Sequence, residues 1–129
     1  MSINRETTIT VKDIAFKVEY PNTGAQIDVE LLKSRIANGS YDDLRLSKNP
    51  LLNHQADVID AIATFTIIVP QIKEKLNVKS FFDLQEEEMT ELLDIYTKQY
   101  LPWYIEVKKA IQNARKEKEE ASRDELPKS

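Results

Sequence analysis

Cysteine is absent from this 129-residue chain, and glycine, histidine and tryptophan are scarce. Without cysteine there is no disulfide framework, no thiolate metal site and no cysteine nucleophile. Gly24 and Gly39 are far apart, so the clustered glycines of a phosphate-binding loop are missing. The one histidine, His54, has no second imidazole or thiolate with which to hold a metal. These absences argue against catalysis, and we expect a non-enzymatic protein with no metal and no cofactor.

Long apolar runs and an excess of basic charge are also missing. The most apolar stretch, residues 61–69, stops at Pro70, whereas a membrane-spanning helix needs about 20 residues. The N-terminus lacks the apolar region of a signal peptide. With 18 basic and 22 acidic residues the net charge is −4, which gives no general attraction to nucleic acid. We expect a cytoplasmic protein that is not secreted and binds neither membrane nor nucleic acid.

What is present suffices for one domain. Hydrophobic residues make up 41% of the chain, and its length is near the commonest domain size. Residues 115–129 have no apolar stripe and contain five basic and five acidic side chains, so their charges cancel. We therefore expect a single globular domain over residues 1–114, followed by a charged tail at 115–129 that frays into solvent.

Residues 1–30 have the two-residue alternation of β-strands. The alternating positions are Thr7, Ile9, Val11, Ile14, Phe16, Val18 and Tyr20. Pro and Gly in residues 21–24 suit a tight turn, after which residues 25–29 would return as the second arm of a hairpin. The spacing of Leu32 and Ile36 favours a helix instead, and we place the change from strand to helix at about Asp28.

Residues 31–114 are predicted to be helical. The first helix ends at Asn38-Gly39, a pair suited to a left-handed C-terminal cap, and the polar residues 40–49 are predicted to be mostly loop. The strongest helix starts after Ser47 or Asn49, with Pro50 in its first turn. Its apolar stripe consists of Leu51, Val58, Ile62, Phe65 and Val69. This stripe widens until most of the helix is apolar, which predicts central burial.

Prolines interrupt the remaining helical pattern. Pro70 ends or kinks the central helix, and residues 71–76 continue as a short one. A further stripe runs from Met89 to Tyr100 and resumes after Pro102, which indicates either one kinked helix or two helices that meet there. The sequence thus predicts an α+β, mostly helical fold, with an N-terminal β-hairpin packed on a bundle of three or four helices.

Residues 83–94 contain six acidic side chains and no basic one. Acidic residues near a helix N-terminus are favoured by the helix dipole, which explains part of this charge. The excess is also suited to docking a basic partner, and Glu87, Glu88 and Glu91 are our candidate contacts.

Four of the ten aromatic residues fall within residues 96–104. Tyr and Trp are common at binding hot spots, so Tyr96, Tyr100, Trp103 and Tyr104 are candidate partner contacts. The alternative is that the first three belong to the core stripe with their hydroxyls at the rim. Tyr104 is off that stripe and is the better exposed candidate.

His54, Asp57 and Asp60 are the remaining residues with possible chemistry. Two carboxylates three residues apart can perform acid–base work when burial raises one pKa. On so apolar a helix we expect instead that they mark its solvent edge or accept hydrogen bonds from a partner.

Three short stretches carry a family resemblance: residues 38–44 (Asn-Gly-Ser-Tyr-Asp-Asp-Leu), 57–65 (Asp-Val-Ile-Asp-Ala-Ile-Ala-Thr-Phe) and 100–104 (Tyr-Leu-Pro-Trp-Tyr). In order and spacing the chain resembles small bacteriophage tail proteins of the tail assembly chaperone type over residues 14–111. The resemblance implies a mostly helical, non-enzymatic protein that binds the tape measure or tail tube protein. The alternative function is a phage-encoded inhibitor of a host defence nuclease, acting through the acidic residues 83–94.

Overall fold

The computed structural model describes residues 3–125, and their side chains up to residue 121. Two strands and six α-helices follow one another. A 3₁₀ turn (Phe81–Asp83) precedes the fifth helix, and a π-helical segment (Tyr96–Tyr100) follows it. The elements are β1 (Glu6–Val11), β2 (Ile14–Glu19), α1 (Thr23–Ile36), α2 (Tyr41–Leu46), α3 (Pro50–Ile68), α4 (Gln71–Lys75), α5 (Glu86–Ile95) and α6 (Leu101–Glu125).

Strands β1 and β2 pair antiparallel, with Ile9 opposite Phe16 and Val11 opposite Ile14. Lys12 and Asp13 alone connect them, and both have positive φ angles, 48° and 66°. Two consecutive left-handed residues define the hairpin turn that matches strand twist. The turn carries neither glycine nor asparagine, so the sequence gives no turn signal at this point.

The strand predicted over residues 25–29 is wrong, because α1 already occupies them. Asn22 caps this helix, its side-chain oxygen accepting a hydrogen bond from Ala25 N at 2.8 Å. The Pro–Gly turn signal at residues 21–24 therefore marks a helix start, about five residues before the predicted one. At the other end the prediction is confirmed, since Asn38 and Gly39 both have positive φ angles.

Residues 41–46, predicted as loop, form the short helix α2. The following cap prediction is confirmed: Asn49 accepts a hydrogen bond from Leu51 N at 2.9 Å, and Pro50 opens α3. Asn53 then fixes the joint between α2 and α3, because its side-chain amide donates to the carbonyls of Leu44, Arg45 and Ser47. Helix propensity alone does not favour α2, and these tertiary contacts stabilise its helical conformation.

The core lies between one face of the hairpin, α3, and the helical run from α5 into α6. Phe65 of α3 is fully buried, as predicted. It is joined by residues from both strands, α3, α4, the 3₁₀ turn, α5 and the π segment: Ile9, Val11, Phe16, Val18, Ala61, Ile62, Val69, Ile72, Phe81, Leu92, Tyr96 and Tyr100. The predicted stripe fails at one position, Leu51, which is 73% exposed.

Pro102 does not separate two helices. The backbone stays helical from α5 through the π segment into α6, with Leu101 N bonding to Tyr96 O across the wide turn. A proline lacks the N–H that the preceding turn would use, and local widening accommodates such a defect. Gln99 of this segment also bonds both backbone groups of Thr10, at 2.8 and 3.3 Å, and so covers part of an edge of β1.

The α+β, mostly helical fold class is confirmed. The structure has six α-helices within the described residues, more than the three or four predicted. One reason is that residues 41–46, which form α2, were predicted to be loop. α6 continues past Ala114 to Glu125, and its residues 115–121 are exposed. The predicted fraying also concerns residues 126–129, which lie outside the described residues. Within residues 3–125, no helix has the length and apolarity to cross a membrane.

Asp13→Gly should stabilise the protein by about 0.5–1 kcal/mol, because glycine adopts positive φ without the steric cost borne by other residues. Chemical denaturation monitored by far-UV circular dichroism measures the change.

Asn38→Gly is the matched control, since Asn38 also has a positive φ of 55° but directly follows the C-cap of α1, where asparagine is, after glycine, a usual left-handed residue. Its gain should be smaller than that of Asp13→Gly. Equal gains, or a loss at Asp13, would contradict the strain assigned to this turn.

Candidate functional site

Four tyrosines stack in a row that we call the tyrosine ladder. Tyr96 and Tyr100 have ring centroids 5.7 Å apart, Tyr100 and Tyr104 5.8 Å, and Tyr104 and Tyr20 5.2 Å. The interplanar angles are 15–17°. Three rings come from helical residues four apart, and the fourth follows β2. Because the faces of the rings cover one another, edges and hydroxyls are what the ladder can offer a ligand.

The inner half of the ladder belongs to the core. Tyr96 is 8% and Tyr100 3% exposed, and both rings meet Phe65 edge to face, at 5.8 and 5.9 Å. Tyr96 and Tyr100 therefore belong to the core, which is one of the two alternatives that the sequence left open for them. Trp103 and Tyr104 are half-buried. Partner contact through any of the four stays a prediction, and burial favours Trp103 and Tyr104 for it.

A cleft of about 280 Å³ opens beside the ladder, and we call it the tyrosine cleft. Tyr96, Tyr100 and Tyr104 line one side of it. The rest of its lining is Pro21, Gln26, Val29, Glu30, Lys33, Thr64, Leu101 and Lys108. Residues from α1, α3, the π segment and α6 thus meet at one concave site.

The hydroxyls of Tyr20, Tyr96 and Tyr100 remain protonated at neutral pH, because the pKa of each is raised. Burial, with the neighbouring Tyr104, Tyr96 and Tyr20, raises the pKa of Tyr100 well above its usual value. Burial also raises the pKa of Tyr96 and of Tyr20. Protonated phenols are hydrogen-bond donors as well as acceptors, so the cleft presents several donors close together.

Trp103 borders a second, larger groove of about 590 Å³ between α6 and the chain before β1. Ile3, Val107 and Ala110 contribute apolar surface to it, and Glu106 is among its polar residues. The indole N–H of Trp103 is buried and has no hydrogen-bond partner in the described part of the chain. An unpaired buried donor is destabilising. Because this nitrogen is shut off from solvent, the rest of the half-buried ring is the part of Trp103 that a partner can contact.

The acidic residues lie largely on the surface. Glu87 and Glu91, one turn apart on α5, are exposed. Glu88 is half-buried and pairs with Lys12 at 3.3 Å, joining α5 to the hairpin turn. Glu86, Glu87 and Glu88 form the first turn of α5, where the helix dipole stabilises them. The structure therefore gives Glu88 a role in the fold and leaves Glu87 and Glu91 available to a partner.

Asp57 and Asp60 accept hydrogen bonds within the protein. Arg45 Nη1 lies 2.7 Å from Asp57, and Arg45 Nη2 lies 2.5 Å from Asp60. Tyr41 donates to Asp60, and Lys33 lies 3.5 Å from it. This ion network joins α1, α2 and α3 around Asp60, which is only 14% exposed. A carboxylate with three donors around it is a structural acceptor, which does not favour acid–base work there.

His54 is exposed on α3. Asp57, the nearest candidate partner in sequence, is bonded to Arg45. No cluster of three metal-ligating side chains occurs among the residues that the structure describes.

Sequence reasoning missed three exposed leucines at the joint between α2 and α3, which we call the leucine patch. Leu46 at the end of α2 is 81% exposed, and Leu51 and Leu52 in the first turn of α3 are 73% and 39% exposed. Asn53 and the ion network hold this joint in place. The apolar periodicity placed Leu51 in the buried stripe, so its exposure was not predicted. The close spacing of three leucines around a polar connector was the signal that could have indicated this surface.

No known protein family, no curated protein and no solved structure matches this chain.

Tyr100→Phe should reduce the loss of stability in alkaline solution. Because the pKa of Tyr100 is raised in the folded protein, its contribution to the free energy of unfolding is fully present below about pH 10, its pKa in the unfolded chain. That contribution is lost as the pH rises above this value. Urea unfolding at pH 7 and at steps from pH 9 to 11.5 measures this.

At pH 7 the variant should change the free energy of unfolding by less than about 1 kcal/mol, because the ring is kept and the hydroxyl bonds to no described residue. Identical alkaline profiles for variant and wild type would contradict the assignment.

Proposed function

We propose that this protein is a non-enzymatic binding protein that acts through protein–protein contact. The supporting observation is the leucine patch, in which Leu46, Leu51 and Leu52 lie within seven residues and are exposed. Scattered exposed leucines are ordinary, whereas neighbouring ones favour an interaction site. The joint beneath them is held by hydrogen bonds and ion pairs, so binding would cost little ordering of the backbone.

We further propose that the partner is a bacteriophage tail protein, the tape measure or the tail tube protein, bound during tail assembly. The support is the resemblance of residues 38–44, 57–65 and 100–104 to tail assembly chaperones. Two of these stretches surround the patch on α2 and α3. The leucines would shield apolar surface of the client until it polymerises, with Trp103 as a further contact. The setting would be the cytoplasm of the infected cell.

The double variant Leu46→Ser, Leu51→Ser should weaken binding to that client by about tenfold or more, since central apolar contacts carry most interface energy. Titration calorimetry of the full chain with the tail proteins encoded beside it measures the dissociation constant.

Phe82→Ser is the matched control, because Phe82 is 61% exposed outside the patch. It should bind as wild type does. Affinity for none of the neighbouring tail proteins would refute the tail assembly proposal, and equal losses in variant and control would refute the patch.

A second candidate is an inhibitor of a host defence nuclease that presents acidic groups in place of nucleic acid phosphates. Glu87 and Glu91 favour it, since both are exposed and lie on one side of α5. Contacts of this kind weaken steeply with salt.

Changing Glu87 and Glu91 together to lysine should abolish binding to a basic nuclease in low salt. Changing Glu74 and Glu117, exposed acids elsewhere, should weaken it far less. Binding of the first variant at wild-type strength, in a pull-down at 50 and at 300 mM salt, would remove this candidate.

A further inference from the structure

The tyrosine cleft is lined by a hydroxyl that the fold itself does not use. Tyr100 is 3% exposed as a residue and lines the cleft, yet its hydroxyl forms no hydrogen bond with any side chain or backbone group of residues 3–121. The hydroxyl oxygen is not shut off from solvent, unlike the indole nitrogen of Trp103. A water or a ligand in the cleft can therefore bond to it.

Lys108 provides a positive charge in the lining of the same cleft. Its Nζ lies 5.7 Å from the ring centroid of Tyr104, and it lines the cleft. Lys33, the other basic residue there, already pairs with Glu30 at 2.9 Å and with Asp60. Lys108 forms no ion pair within the described side chains, so its ammonium group is available to a ligand.

The lining as a whole favours a negative ligand. Because Lys33 is paired with Glu30 and Asp60, the lining charge left without an ion pair among the described side chains is that of Lys108, on a chain whose net charge is −4. Pro21, Val29 and Leu101 form apolar wall, and apolar surroundings strengthen a charge-assisted hydrogen bond. The raised pKa of Tyr100 keeps its hydroxyl protonated, and therefore a donor.

The volume limits the size of the ligand. At about 280 Å³ the cleft lies just below the range of about 300–1,000 Å³ typical of drug-sized ligands. A single carboxylate or phosphate group with a few waters fits, since a water occupies about 30 Å³.

We propose that the tyrosine cleft binds a small oxyanion, a carboxylate or a phosphate group, through the hydroxyl of Tyr100 and the ammonium group of Lys108. Tyr96 and Tyr104 supply further hydroxyls on the same side. This site is independent of the proposed function, because the leucine patch belongs to α2 and to the start of α3 and contributes no residue to the cleft.

The test is a titration of the full chain with inorganic phosphate and, separately, with acetate, at constant ionic strength and pH 7. Tyrosine ring resonances followed by NMR report on the ladder. We expect saturable shifts of the Tyr100 and Tyr104 signals. A tighter constant for phosphate assigns a phosphate ligand, and a tighter one for acetate assigns a carboxylate.

Lys108→Gln and Tyr100→Phe should each weaken binding by about tenfold or more, the scale of a hydrogen bond to a charged group. Lys109→Gln is the matched control, since Lys109 is the adjacent exposed lysine and does not line the cleft. It should stay within twofold of wild type. Absence of saturable shifts with both anions, or an equal loss in the Lys109 variant, would overturn the proposal.

Discussion

The contact of Phe65 with Tyr96 and Tyr100 is the interaction on which the rest of the structure depends. It joins the most apolar helix, α3, to the helical run that starts at α5. The same core includes Ile9 and Phe16, so the hairpin packs on it too. A two-stranded hairpin is only marginally stable alone, and here burial against aromatic rings stabilises it. The tyrosines are thus fixed by the core before any ligand is considered.

Fixing these rings has a consequence for binding. Because the ladder is continuous from the core to the surface, Tyr100 is positioned by packing while its hydroxyl lines a cleft. Next to this cleft, ion pairs around Asp60 hold α2 in place, and Lys33 belongs to both sites. Leu46 and Leu51 are left in solvent. The protein therefore offers two unlike surfaces, a small polar cleft and an apolar patch, both on rigid supports.

Elements with a strong local signal were predictable. Asn49 and Pro50 start α3, Asn38 and Gly39 end α1, and the apolar stripe through Phe65 is buried, because caps and periodicity act over a few residues. The turn at Lys12 and Asp13 was not predictable, since neither residue favours positive φ. The helical state of residues 41–46 was not predictable either, because it depends on contacts from α3.

The sequence by itself determined the α+β class, the central burial of α3 and the lack of cysteine chemistry, since these follow from composition and periodicity. The tertiary structure alone decided which polar groups meet. It made Asp57 and Asp60 acceptors for Arg45 of the same chain, brought Tyr20 onto Tyr104, and left Leu51 exposed. Periodicity tells which face of a helix is apolar, whereas the neighbouring elements determine which part of that face is covered.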